Sequence, residues 1–192
     1  ELPASLKNCG SLCFSTVQRV IFNGDTLPKG FISAITLDEF DSNDGVEAVK
    51  VYLKDIGKTI YIPKQMSQIG IETAIFHLEG CSLAEADTYL FDSAYRFANV
   101  ADSAFLAAME ECFTNNNEEA KEFLKKNSTR IVDKLLEEED ESGLERISRL
   151  GVVSEEQLKR IGELAERKEW AALSAYVMNQ VDDSDDEDVF SL

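Results

Sequence analysis

Basic residues, histidine, proline and long apolar runs are all scarce in this chain, and each shortage removes a class of function. Lys and Arg total 19 against 37 Asp and Glu, a formal net charge of −18. Nucleic acid is bound through clustered Lys and Arg on its phosphates, so direct recognition of DNA or RNA is not expected. His77 is the only histidine. A Ser or Cys nucleophile needs a positioned base, and a zinc site needs paired ligands, so neither chemistry has its usual partners. His77 itself lies in the apolar stretch Ala74-Ile75-Phe76-His77-Leu78 and reads as a partly buried structural residue. No apolar run approaches the roughly 18 residues of a spanning helix. The opening Glu1-Leu2-Pro3-Ala4 has neither the basic region nor the apolar stretch of a signal peptide, and a cytoplasmic location without membrane contact is expected. Near 63–70 only Pro63 and Gly70 could mark a linker, which favours one continuous core.

Four cysteines are present, Cys9, Cys13, Cys81 and Cys112. Cys112 lies in an apolar helical run beside Phe113, and 192 residues do not need stapling, so reduced thiols are expected. Cys9 and Cys13 could bring two sulfurs together, but no second pair completes a zinc set. Gly57-Lys58-Thr59 resembles the end of a phosphate loop, yet Tyr52 stands where the motif needs a glycine. Around Gly45, a calcium loop would put Phe40 and Ser42 at its first two ligand positions and Val51 at its twelfth. No catalytic residue, metal or cofactor is therefore assigned, and a non-enzymatic protein is expected.

What the chain does have is a 44% hydrophobic composition, enough for a core, and two differently patterned halves. Thr16–Phe22, Phe31–Leu37, Val46–Leu53 and Lys58–Ile62 read as strands separated by turn signals such as Asn23-Gly24 and Gly57. In the third, Val49, Val51 and Leu53 alternate with Lys50, Tyr52 and Lys54, the period of a half-buried strand. Four successive strands with short turns predict an antiparallel four-stranded meander. From about Met66 the period becomes helical. Ser82–Glu85, Ser142–Glu145 and Ser154–Gln157 each match the capping box that opens a helix. Leu83, Ala86, Leu90 and Phe97 on one stripe, with Phe91 and Tyr95 on another, make 82–98 the predicted central helix. Gly151, after Leu144, Ile147 and Leu150, is placed to stop a helix in left-handed conformation.

Over about 102–180 a two-helix unit recurs with an offset of 29 residues: Leu106 against Leu135, Leu135 against Leu164, Leu144 against Leu173, Ile147 against Tyr176. The polar turns would be Asn115–Asn117, Glu138–Glu141 and Arg167–Glu169. The stretch Glu155–Met178, EEQLKRIGELAERKEWAALSAYVM, resembles ankyrin-like helical hairpins, and what that resemblance implies is stacked hairpins that bind another protein. The family's T-P-L-H turn is absent and Lys168-Glu169 replace its inter-helix glycine, so the resemblance implies the paired helices and not the strand-like fingers. A plain helical bundle with this spacing is the alternative; both are all-helical.

The expected organisation is α+β: a small antiparallel β segment over 1–65, a helical region over 66–181 packed on it, and a disordered acidic tail over 182–192. Residues 1–96 hold 13 acids and 8 bases, and residues 97–192 hold 24 and 11, so the charge belongs mainly to the second half. Asp182 to Asp188 carry six acids in seven positions, a run that repels itself. With Phe190 and Leu192 behind it, the tail resembles the acidic, Phe-ending tails of bacterial single-stranded-DNA-binding proteins, and could dock in a basic pocket with an apolar floor. The expected function is a protein-interaction module, with Trp170, Tyr176, Phe190 and Leu192 as candidate contacts and a protein bearing a basic surface as partner. The alternative is an acidic decoy that offers carboxylates in place of DNA phosphates to a DNA-binding protein.

Overall fold

The computed structural model describes residues 1–10, 16–42, 45–85, 88–96 and 100–187, and of 181–187 the backbone alone. They form two compact units, Glu1–Phe123 and Leu124–Leu192. No membrane-spanning helix is found among the described residues.

The first unit is built on β3 (Ala48–Leu53), whose alternation is the one the sequence displays: Val49, Val51 and Leu53 are fully buried. Burying each such side chain stabilises the fold by about 1.5–3 kcal/mol. β3 pairs antiparallel with β4 (Lys58–Pro63), setting Val51 opposite Ile60 and Val49 opposite Ile62. On its other side it pairs parallel with β1 (Arg19–Phe22), with Val20 opposite Val51. The sheet is therefore mixed, in the order β1-β3-β4, and not the four-stranded antiparallel meander expected. A separate parallel pair joins β2 (Leu37–Asp38) to β5 (Gln65–Met66).

The expectation fails at Phe31–Leu37. Residues Phe31–Ile35 form the helix α1, and only Leu37–Asp38 remain as strand. Phe31, Ile32, Ala34 and Ile35 are buried and only Ser33 between them is exposed, and so short an apolar run carries no period that separates helix from strand. Distant side chains favour the helix. Gly30 enters it at φ 75°, where a Cβ would be strained. The Glu79 carboxylate accepts the N–H groups of Gly30 and Ile32, both at 2.8 Å. At the other end the Lys64 ammonium, fully buried, donates to Ile35 O at 2.6 Å. Acid at the N-terminus and base at the C-terminus also match the helix dipole. Because α1 lies between β1 and β3, those strands need a crossover and pair in parallel.

Helix α2 (Gln68–Leu78) starts at Ser67, whose Oγ accepts from Gly70 N at 3.1 Å. The segment read as a central helix over 82–98 is helical only in α3 (Phe91–Tyr95) among the described residues; Ala86 and Phe97 lie outside them. Ser82 opens no helix but bridges to Thr26. The central helix is α4 (Ala101–Asn115), which contacts α3, β3 and β4. Ala104, Ala107 and Ala108 on its buried face let its backbone approach the sheet closely.

The unit boundary falls within α5 (Glu118–Lys126). Beyond it come α6 (Ser128–Glu137), α7 (Glu141–Arg149), α8 (Glu155–Arg167) and α9 (Ala171–Glu187). α6 contacts α7 and α8, and α9 contacts α7 and α8. Both joining turns use one backbone device. Glu139 and Glu169 adopt left-handed φ values of 53° and 61°, and Asp140 N and Trp170 N donate five residues back to Leu135 O and Ala165 O, which satisfies carbonyls orphaned at the helix ends. Contacts about one repeat apart link the pairs: Gln157 Nε2 to Ser128 Oγ at 3.3 Å, Lys168 to Glu139, and Tyr176 OH to Ser148 O at 3.3 Å. The capping box at Ser154 has both its hydrogen bonds. The one read at Ser142 is displaced, because Asp140 caps α7 by accepting from Gly143 N at 3.1 Å. Gly151 has φ 64°, as expected. α9 keeps helical backbone to Glu187, beyond the residue 182 at which the acidic composition implies disorder; adding residues to an existing helix requires no new nucleus.

Removing the Lys64 ammonium leaves Ile35 O buried without its donor. Lys64→Ala should cost about 2–4 kcal/mol of unfolding free energy, read as a lower urea midpoint at unchanged slope. Glu79→Ala should also lower it, through loss of the α1 cap.

Candidate functional site

The contact residues expected in the second unit are positioned by the α8–α9 pair. Trp170 precedes α9 and is half-buried, its N–H held by Ala165 O. Tyr176 is also half-buried: its hydroxyl donates to Ser148 O, and the Arg149 guanidinium lies 5.1 Å from its ring centroid. These contacts assign Tyr176 to packing α9 on α7. The exposed apolar side chain of this surface is Met178, 58% exposed. With Val177, Gly162 and the stems of Lys159, Glu163 and Glu166 it borders a groove of about 280 Å³. Several charged side chains on this unit pair in opposite signs: Arg149 with Glu145, Lys159 with Glu155, Arg160 with Asp133 and Lys168 with Glu139. Phe190 and Leu192 lie outside the described residues, as does Cys13.

In the first unit, α2 buries Gly70, Ala74 and Leu78 at spacings of four and turns its other face outward. Ile69 is 49% exposed and Phe76 77%, seven positions apart on one side of the helix. His77 is exposed as well, and not the partly buried residue expected, because the buried stripe falls on Ala74 and Leu78. Its ring meets Phe76 edge-on at 5.0 Å and lies 6.3 Å from Tyr89, which is 48% exposed. Phe76, His77 and Tyr89 thus form a contiguous aromatic face beside Ile69.

A third feature is polar. β4 is an edge strand, and α4 covers that edge with side chains. Glu111, 1% exposed, accepts from Tyr61 N at 2.6 Å through Oε1, and Asn115 Nδ2 donates to Thr59 O at 2.8 Å. Asn115 also donates to Glu111 Oε2 at 2.6 Å, and Asn117 Nδ2 reaches the same oxygen at 3.5 Å. Asn116 between them is left-handed at φ 52°, a conformation asparagine tolerates. Asn117 Oδ1 then accepts from Glu119 N and Ala120 N at the start of α5. Lys58, Thr88, Glu118 and Glu119 complete the lining of a cavity of about 430 Å³ over this network. Burial raises the Glu111 carboxyl above the ordinary 4.5, against the opposing pull of Asn115, Tyr61, Asn117 and Lys58. The neighbouring Cys112 thiol is pushed up to about 11, by burial first and then by Glu111.

Gly57 and Lys58 belong to the β3–β4 turn and the start of β4, with no helix N-terminus following as a phosphate loop requires. No cluster of three metal-ligating side chains is found among the described residues. No protein-family model, curated protein or solved structure matches the chain.

Sequence reasoning missed both the aromatic face and Glu111, and each left a signal. Ile69, Phe76 and His77 fall off the stripe of Gly70, Ala74 and Leu78. Glu111 and Asn115 continue the helical spacing of Ala104 and Ala108, which puts a carboxylate on a face otherwise built for burial.

A raised native value means that the folded state takes up the Glu111 proton before the unfolded chain does. On acidification from pH 7 toward 4.5, the parent should therefore gain stability relative to Glu111→Gln; chemical unfolding at each pH reads the difference. At pH 8 only about a thousandth of native Cys112 is thiolate. Iodoacetamide followed by peptide mapping should label the exposed Cys81 long before Cys112.

Proposed function

We propose that the chain is a non-enzymatic protein-interaction module whose partner presents apolar side chains ringed by basic ones. The observation that carries this reading is the aromatic face of α2. Phe76 at 77% exposure and Tyr89 at 48% are large side chains left in water, grouped with Ile69 and His77, and grouped aromatic residues supply most of the energy at protein interfaces. A formal charge of −18 selects a partner of opposite sign and speeds its approach. The paired helices of the second unit, joined by matching turns about one repeat apart, support the reading of stacked ankyrin-like hairpins, with the groove beside Met178 as a second contact surface. The acidic tail ending in Phe190 and Leu192 adds a third element to the same proposal. The DNA-mimic alternative gains no support from α6–α9, since Arg149, Lys159, Arg160 and Lys168 each neutralise an acid there and interrupt a continuous negative strip.

Phe76→Ala removes an exposed ring and should leave unfolding stability within about 0.5 kcal/mol. Against a partner captured with the full chain, the same substitution should weaken binding about 30-fold, and Tyr89→Ala somewhat less. Undiminished affinity in both variants would remove α2 from the interface; loss only in Met178→Ala would move recognition to the α8–α9 groove.

A further inference from the structure

We propose that the groove lined by residues 4–7, residues 26–29 and the end of α2 is a binding site for a small amphipathic anion, a carboxylate carried on an apolar chain. The site lies wholly within the first unit and does not depend on the aromatic face of α2. Its volume is about 530 Å³, in the range of sites that take small organic molecules. Much of the lining is apolar, with Leu27 and Pro28 buried and Leu6 and Ile75 half-buried. Backbone bonds hold these segments together before any ligand arrives. Leu6 N donates to Pro3 O at 3.0 Å, Lys29 N to Lys7 O at 3.2 Å and Gly80 N to Leu27 O at 3.1 Å, which reduces the ordering cost of binding. The charge left over at the groove is opposite in sign to that of the chain. Glu79 is the one acid among the described lining residues, and both its oxygens are taken, accepting from Gly30 N and Ile32 N at 2.8 Å. Lys7 and Lys29, neighbours across the bond between their backbones, are exposed and line the same groove. Acids outnumber bases 37 to 19 in this chain, and Lys54, Lys134, Lys159 and Lys168 each pair with one. Lys7 and Lys29 have no ion-pair partner among the described residues. Physiological salt screens charges farther off than about 8 Å, so the two ammonium groups beside the groove, and not the distant acids, set the sign it accepts. A carboxylate satisfies them while its apolar chain covers Leu6, Leu27 and Ile75. An organic cation would meet like charge there, and a neutral apolar molecule would leave both ammonium groups unused.

The test is a titration of the full chain with sodium octanoate at about 0.15 M salt, followed by calorimetry and by backbone amide shifts. One saturable site is expected, with shifts centred on Leu6, Lys7, Leu27, Lys29 and Gly80. Acetate, which lacks the apolar chain, and 1-octanol, which lacks the charge, should each bind at least about tenfold more weakly. Lys7→Gln combined with Lys29→Gln should weaken octanoate about tenfold and, both positions being exposed, leave the urea midpoint unchanged. Lys125→Gln combined with Lys126→Gln, two exposed lysines of α5, controls for the general attraction of anions to lysine and should leave affinity unchanged. The proposal is overturned if octanoate does not saturate below about 10 mM, or if its shifts centre on Phe76 and Tyr89 instead. Acetate binding as tightly as octanoate would mean an adventitious ion only, and 1-octanol doing so an apolar patch with no choice of charge; either result overturns it, as does equal loss of affinity in the two double variants.

Discussion

The first unit depends on charged side chains that satisfy backbone groups which its small sheet cannot. Three strands pair with one another, but their edge and the ends of the short helix beside them are buried with polar groups still to be bonded, and each such group left unpaired is costly. Lys64 takes the end of α1, Glu79 its beginning, and Glu111 with Asn115 the free edge of β4. Lys64 and Glu79 reach across 29 to 49 residues of chain and Glu111 and Asn115 across 50 to 56. These ties accompany the crossover between β1 and β3 and hold α4 against the sheet. An edge strand dressed by a buried carboxylate and an amide is also closed to pairing with a foreign strand.

The second unit is organised on the opposite principle. Its helices are joined by turns of a few residues, and the bonds that join one pair to the next span about one repeat. Apolar positions such as Leu135, Leu144, Leu164 and Leu173 are buried at regular spacing, and side chains from Ser154, Asp140 and Gln157 satisfy nearby backbone groups. Here local propensity and long-range packing agree.

That contrast explains what could be read from the chain. The alternation of β3, the cap at Ser154 and the stop at Gly151 are local patterns, and each was legible. α1 was not, because so short an apolar run has no readable period and the groups that favour the helix, Glu79 and Lys64, lie far along the chain. The sense of strand pairing was lost with it, since once Phe31–Ile35 is helix rather than strand, β1 and β3 become parallel neighbours. The box at Ser142 misled by two residues because Asp140, an equally good cap, precedes it. Among the candidate contacts, Trp170 and Tyr176 were singled out by residue type alone, and the hydroxyl and ring of Tyr176 are engaged within the unit. Phe76 and His77 were hidden by their apolar neighbours, although the buried stripe is filled by Gly70, Ala74 and Leu78.

The aromatic face of α2 and the acidity of the chain constrain each other. An exposed group of Phe76, Tyr89 and Ile69 on a neutral protein would invite association between copies. At a net charge of −18, two copies repel, and physiological salt screens that repulsion only beyond about 8 Å. On the proposed reading, the same charge that opposes self-association favours a partner of opposite sign, so that the carboxylates would supply selection and approach and the rings the contact. In the second unit the paired Lys, Arg and Glu side chains contribute little to either task, because opposite charges at close range cancel in the far field. The excess of acids over bases sets the field, and six of those acids fall within Asp182–Asp188.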